Sequence, residues 1–141
     1  ALSPDGRWVL SVKSRRRVEV FELLTGNLHA AFDHGEPNDR LETLAFSPDG
    51  RWLLWSSDRT GVANLYAMEV ATGRVRQVTN TVLGAWQPNV SPDGRTLVYL
   101  GYSHRGYDLF RLPFDPSRWR DPEVVTEDPF GRDRGEMPPA R

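Results

Sequence analysis

Apolar residues along this chain come in short β-prone runs, and polar or turn-forming residues interrupt each run before it reaches helical length. Trp8-Val9-Leu10-Ser11-Val12, Trp52-Leu53-Leu54-Trp55 and Thr96-Leu97-Val98-Tyr99-Leu100 are rich in β-branched, aromatic and leucine side chains. Val18-Glu19-Val20-Phe21 alternates apolar positions with an acid, the period of a half-buried strand. No stretch carries apolar residues at helical spacing, so the pattern predicts an all-β protein.

The interruptions themselves recur. Ser-Pro-Asp-Gly stands at Ser3-Pro4-Asp5-Gly6, Ser47-Pro48-Asp49-Gly50 and Ser91-Pro92-Asp93-Gly94, spaced by 44 residues both times. Proline presets the backbone for a tight turn, aspartate bonds its own backbone, and glycine supplies the positive φ that reverses the chain. A β-prone run follows each string, so each is expected to tip a hairpin.

Three repeats of this unit are expected. The first, 1–40, holds a strand remnant at Ala1-Leu2, then strands at Arg7–Val12, Val18–Phe21 and Leu28–Phe32. Lys13–Arg17 and Leu24–Asn27 connect them, and Asp33–Arg40 forms a surface loop. The second, 41–80, has strands at Leu41–Phe46, Arg51–Ser56, Ala63–Glu69 and Val75–Thr79. The third, 81–128, has strands at Gly84–Val90, Thr96–Leu100, Tyr107–Leu112 and Glu123–Thr126, its last hairpin enlarged by residues 113–122. Residues 129–141 form an irregular tail or linker.

Four consecutive antiparallel strands at such a period make one blade of a β-propeller. A sandwich or an open meander would need no constant period. A ring closes with about 4–8 blades, so the three repeats are expected to form an incomplete ring, the first repeat with its first strand truncated. The chain starts inside a strand with no initiator Met and is expected to be a piece of a longer protein that supplies the remaining blades. Association of three-blade pieces is the alternative.

The wording of the repeats resembles the WD-like propeller repeat of TolB-type proteins. Phe46-Ser47-Pro48-Asp49-Gly50-Arg51-Trp52-Leu53, Ser57-Asp58-Arg59-Thr60-Gly61, Asn64-Leu65-Tyr66, Ala71-Thr72-Gly73 and Val78-Thr79 carry the likeness in the second repeat. In the third it rests on Val90-Ser91-Pro92-Asp93-Gly94, Tyr102-Ser103-His104-Arg105-Gly106, Asp108-Leu109-Phe110 and Val125-Thr126. The first departs most, with Ser14-Arg15-Arg16-Arg17 in place of the Asp-containing loop. The resemblance implies a non-catalytic interaction scaffold in the periplasm, within the Tol–Pal system of the bacterial envelope. Two other settings share such propellers. One is the gating propeller of prolyl-oligopeptidase-type serine peptidases, whose catalytic domain is absent here. The other is a soluble recognition domain joined to an outer-membrane barrel or a sensor.

Composition narrows the chemistry. With 38% hydrophobic residues and five Trp, the chain has material for a core. Eighteen basic and nineteen acidic side chains give a formal net charge of −1, which argues against nucleic acid or a membrane surface as partner. Nor is there an apolar run long enough for direct membrane insertion by this segment. The absence of cysteine excludes disulfides, zinc–thiolate sites and cysteine nucleophiles.

No catalytic residue, metal site or cofactor is expected. His29 falls in a strand, facing outward, and His34 lies in a loop with Asp33 and Glu36 whose acid-plus-imidazole character reads as solvated surface. Gly101-Tyr102-Ser103-His104-Arg105 superficially matches a nucleophile elbow, but Arg105 replaces the second glycine and no helix follows. What remains is a rim. Connections between second and third strands should emerge on one face and present Arg15, Arg16, Arg17, Asp58, Arg59, His104 and Arg105, a set able to hold carboxylates or a peptide terminus of a protein partner. Phe114 and Trp119, on the enlarged hairpin, are expected either to bind a partner or to fold back over the blade.

Overall fold

The three Ser-Pro-Asp-Gly strings fold into the same hydrogen-bonded corner in the computed structural model, which describes residues 1–13, 17–33 and 44–122. At the second corner the Ser47 amide donates to the Trp52 carbonyl (2.8 Å) and the Gly50 amide to the Ser47 carbonyl (2.9 Å). The Ser47 hydroxyl donates to Asp49 Oδ1 (2.6 Å) while accepting the Trp52 amide (2.9 Å), and Asp49 Oδ1 also accepts the Arg51 amide (3.0 Å). The same bonds recur around Ser3 and Ser91. Gly6, Gly50 and Gly94 hold φ of 74°, 72° and 73°, a region glycine enters without the Cβ penalty.

Around these corners the described strands form three antiparallel sheets. The first contains β1 (Trp8–Val12), β2 (Arg17–Glu22) and β3 (Leu28–Asp33), with Leu2 bridging to Val9 beyond β1. The middle sheet runs in chain order through β4 (Leu44–Phe46), β5 (Trp52–Ser57), β6 (Asn64–Glu69) and β7 (Val75–Gln77). The third holds β8 (Ala85–Val90), β9 (Thr96–Ser103) and β10 (Gly106–Pro113).

Side-chain alternation stacks the sheets face to face. Leu53, Trp55, Tyr66 and Met68 of the middle sheet pack with Trp8, Leu10, Val18 and Val20 of the first. Their neighbours Trp52, Leu54, Leu65 and Ala67 point the other way and pack with Ala85, Val90, Leu97 and Tyr99 of the third. A sheet covered on both faces needs no polar alternation, so β5 and β6 are nearly continuous apolar runs. In β9, by contrast, Leu97 and Tyr99 are buried while Val98 and Tyr102 are exposed.

Several expectations change. Arg17 is the first residue of β2, paired with Asp33, and is not part of a connection. The third-repeat loop expected over Tyr102–Gly106 closes to a His104-Arg105 tip, because β9 and β10 continue to pair through Tyr102↔Tyr107 and Ser103↔Gly106. The two tyrosine rings meet edge-on at 5.2 Å, and Trp86 adds a second edge contact to Tyr107 at 5.8 Å, cross-strand contacts that extend the ladder. The enlarged hairpin leaves its own sheet. After a 3-10 turn at Pro116–Arg118 capped by Asp115, Arg120 pairs with Gln77 on the edge of the middle sheet. Arg15, Arg16, the His34 loop, the strand expected at 123–126 and the tail at 129–141 lie outside the described residues.

Candidate functional site

The register places the β5–β6 loop, the β9–β10 tip and the β7–β8 connection at one end of the sheets, opposite the Ser-Pro-Asp-Gly corners. Ala85, at the start of β8, pairs with Gly101 near the far end of β9. Its amide donates to the Ala63 carbonyl (2.8 Å), and its carbonyl accepts the Ser56 hydroxyl (2.7 Å). Asn64 pins the connection more firmly. Its Oδ1 accepts the Thr79 hydroxyl (2.9 Å) and the Thr81 amide (2.8 Å), while the Thr79 hydroxyl accepts the Leu65 amide (2.9 Å). Asn64 and Thr79 are buried, so this network fixes the rim from beneath.

On this rim stand four of the residues expected to bind. His104 and Arg105 are exposed at the β9–β10 tip. Asp58 and Arg59 are half-buried, with the Arg59 guanidinium 4.9 Å from the centre of the Tyr66 ring. Asp58 Oδ1 is buried with no hydrogen-bond partner among the described residues. Arg17 lies in β2 with its Nε 3.3 Å from Glu19 Oε1.

Phe114 and Trp119 occupy the other end. The Phe114 amide donates to the Arg95 carbonyl beside the third corner. Trp119 is buried, edge-on to Trp52 at 4.8 Å and to Phe114 at 5.2 Å, so its ring covers the middle sheet. Of the two roles the sequence left open for Trp119, the contacts are those of folding back.

One rim feature was missed in the sequence. A cavity of about 360 Å³ opens between the β7–β8 connection and the aromatic face of the third sheet, lined by Val82, Leu83, Tyr99, Gly101, Tyr102 and Phe110 among others. Val82 and Leu83 are 84% and 55% exposed, large apolar side chains on a connection that polarity would be expected to rule. Burial raises the Tyr99 phenol above its ordinary pKa, so the ring facing the cavity stays neutral. The only sequence signal was the apolar pair Val82-Leu83 where a loop was due.

Two of the side chains weighed as candidate chemistry, Ser103 at the rim and His29 at the corner end of the sheets, have structural partners. The Ser103 hydroxyl accepts the Arg105 amide (3.2 Å) within its own turn. His29, expected to face outward, leans on Trp8 with ring centres 4.3 Å apart and its Nε2 against the Val70 carbonyl. Among the described residues no three His, Cys, Asp or Glu side chains gather as metal ligands.

Solved structures share this arrangement of sheets. A TolB-designated protein of Agrobacterium tumefaciens superposes with a TM-score of 0.59 at 22% identity, covering 79% of this chain and 43% of its own. TolB of Acinetobacter baumannii gives 0.60 at 21% identity, covering 85% and 30%. The tricorn protease gives 0.64 at 13% identity, covering 82% of this chain and 13% of the protease. The fold is that of a TolB-like β-propeller. An uncharacterized protein of Agrobacterium fabrum is 30% identical over 115 residues, which are 80% of this chain and 38% of that protein. No protein-family model matches. The chain thus spans less than half the length of each of these proteins.

In propeller terms the three sheets fit consecutive blades, and the rim is the end carrying the second-to-third strand loops.

Proposed function

We propose that this propeller is a non-catalytic interaction scaffold that binds a protein partner across the rim bearing Asp58, Arg59, His104 and Arg105, in the periplasm of a bacterial cell. The observation that carries this reading is the apolar cavity beside charged tips on one pinned rim. An apolar pocket with a few polar groups around it is how recognition sites are commonly built. The fold likeness to TolB supports the envelope setting. Among the described residues no helix is long and apolar enough to cross a membrane. The parent propeller would then include further blades, with boundaries near residues 40, 80 and 128 separating those of this chain.

A photo-crosslinking residue placed at Arg105 in cells should capture a discrete protein adduct, and the same residue at Phe114, on the opposite end, should not. Equal adducts from both positions, or none from Arg105, would refute the rim assignment.

The likeness to the tricorn protease favours one second reading, a propeller that gates a peptidase domain outside this chain. In that case too the chain itself has no turnover. Peptide hydrolysis by the isolated chain that Ser103→Ala abolishes would defeat both readings.

A further inference from the structure

Two successive blade interfaces are filled differently, and the rim cavity opens at the second. On the first interface Phe32, opposite Val18 on outer strand β3, stacks on Trp55 at 4.6 Å, and Trp55 in turn lies 6.2 Å from Tyr66. These rings exclude water from one another, and Trp55 and Tyr66 are 2% and 0% exposed.

Forty-four positions on, Tyr99 and Phe110 repeat the Trp55–Tyr66 pair, with ring centres 5.6 Å apart and planes 17° from parallel. The third ring is missing. By strand pairing rather than by the 44-residue period, Val78 takes the place of Phe32. Leu65 stands four residues before Glu69 as Val18 stands four before Glu22. The Val78 amide bonds the Leu65 carbonyl where Phe32 pairs with Val18, and Val78 packs with the second core cluster. Valine is too short to reproduce the stack, and Phe110 is left 38% exposed where Tyr66 is fully covered. The Phe110 ring is held in place because it lies across Gly101, where a Cβ would come within 2.6 Å of it. Exposed Val82 and Leu83 form the opposite wall.

We infer that this cavity receives one aromatic side chain from a partner protein, which stacks on Tyr99 and Phe110 as Phe32 stacks on Trp55. The inference rests on the scaffold reading and names the partner's anchor residue: Phe, Tyr or Trp on a segment crossing the rim beside the His104-Arg105 tip. A large flat ring in a preformed apolar slot is the usual anchor of a protein interface.

The test titrates the full chain with N-acetyl-phenylalaninamide and N-acetyl-leucinamide while following the Tyr99, Gly101 and Phe110 resonances. The aromatic amide should move them at about tenfold lower concentration, the ratio one aromatic pair supplies. Val78→Phe should restore the internal stack and abolish the response. Should that variant not fold, Phe110→Leu should remove the preference for the aromatic amide. An equal response to both amides, or binding that survives Val78→Phe, would overturn the inference. So would a nuclear Overhauser contact between Phe130 and Tyr99, which would show the chain's own tail in the slot. Crosslinking at Arg105 separates the two claims: adducts without the aromatic preference leave the scaffold standing and remove the pocket's role.

Discussion

The middle and third blades carry the same repeat, yet one is buried on both faces and the other on one. Leu54 and Leu65 of the middle blade are fully covered, whereas Val98 and Leu109, each 44 positions further on, are 38% and 75% exposed. The strand pairing is the same in both, Ser57↔Asn64 in one and Gly101↔Asp108 in the other. The backbone pattern of a blade is therefore set locally, while coverage depends on what lies against it. The rim loops diverge in the same way. Six residues separate the shared rung in each blade; Asp58 and Ala63 begin and end an open loop, and Tyr102 and Tyr107 pair their rings and zip it shut.

The largest expected contrast lies in the core. Leu54→Ala should cost about 2–5 kcal/mol, while Val98→Ala should cost less than about 1 kcal/mol, because only the first leaves a buried cavity. Urea unfolding of the two variants measures this, and similar losses would mean the third blade's outer face is covered in solution.

The corners provide the next contrast. Gly50 and Gly94 have nearly the same φ, but a Cβ on Gly50 would sit 2.6 Å from the Asp5 carboxyl and one on Gly94 meets nothing. Gly94→Ala should cost about 1 kcal/mol from backbone strain alone. Gly50→Ala should cost more, since Asp5 is tied to Ser3 and Arg7 and cannot swing away freely. Asp5→Ala should recover the excess in a double-mutant cycle; additive losses would contradict the contact.

The serine bridge provides a third contrast. Ser47→Ala should cost about 1–2 kcal/mol, leaving the buried Trp52 amide without its side-chain acceptor, and Ser91→Ala at the less buried corner should cost less.

Acid supplies the finest test. Hydrogen bonds from the Ser91 hydroxyl and the Arg95 amide hold the Asp93 carboxyl below its ordinary pKa of 3.8. At Asp49 burial opposes ionisation, but the Ser47 hydroxyl and Arg51 amide outweigh it and the pKa is again lowered. A depressed folded pKa adds stability above the unfolded value and loses it as pH falls through the folded one. Melting temperature should therefore fall below about pH 4, and Ser91→Ala should flatten that limb. An unchanged acid slope would show that these bonds do not hold the charge.

Much of this was legible because the corner is local. Proline, aspartate and glycine within four residues fix a turn whatever surrounds them, and the repeat announces the sheets. The serine hydroxyl bridging Asp49 to the Trp52 amide was not foreseen, although Ser opens every copy of the string. At the rim, charged positions were legible as polar tips, but Arg17 proved to be strand, and Phe114 and Trp119 fell at the opposite end. Sequence cannot place these, because the end of a sheet to which a residue belongs depends on where the ladder stops.

By itself the sequence determined the turn chemistry, the strand alternation and the period, since each depends on backbone sterics and hydrogen bonds between near neighbours. Tertiary structure alone decided which faces meet. Whether Val78 fills its interface or leaves a slot depends on the ring positions of Tyr99 and Phe110, more than twenty residues away in the chain, and side-chain volume has no meaning until the opposing sheet is in place.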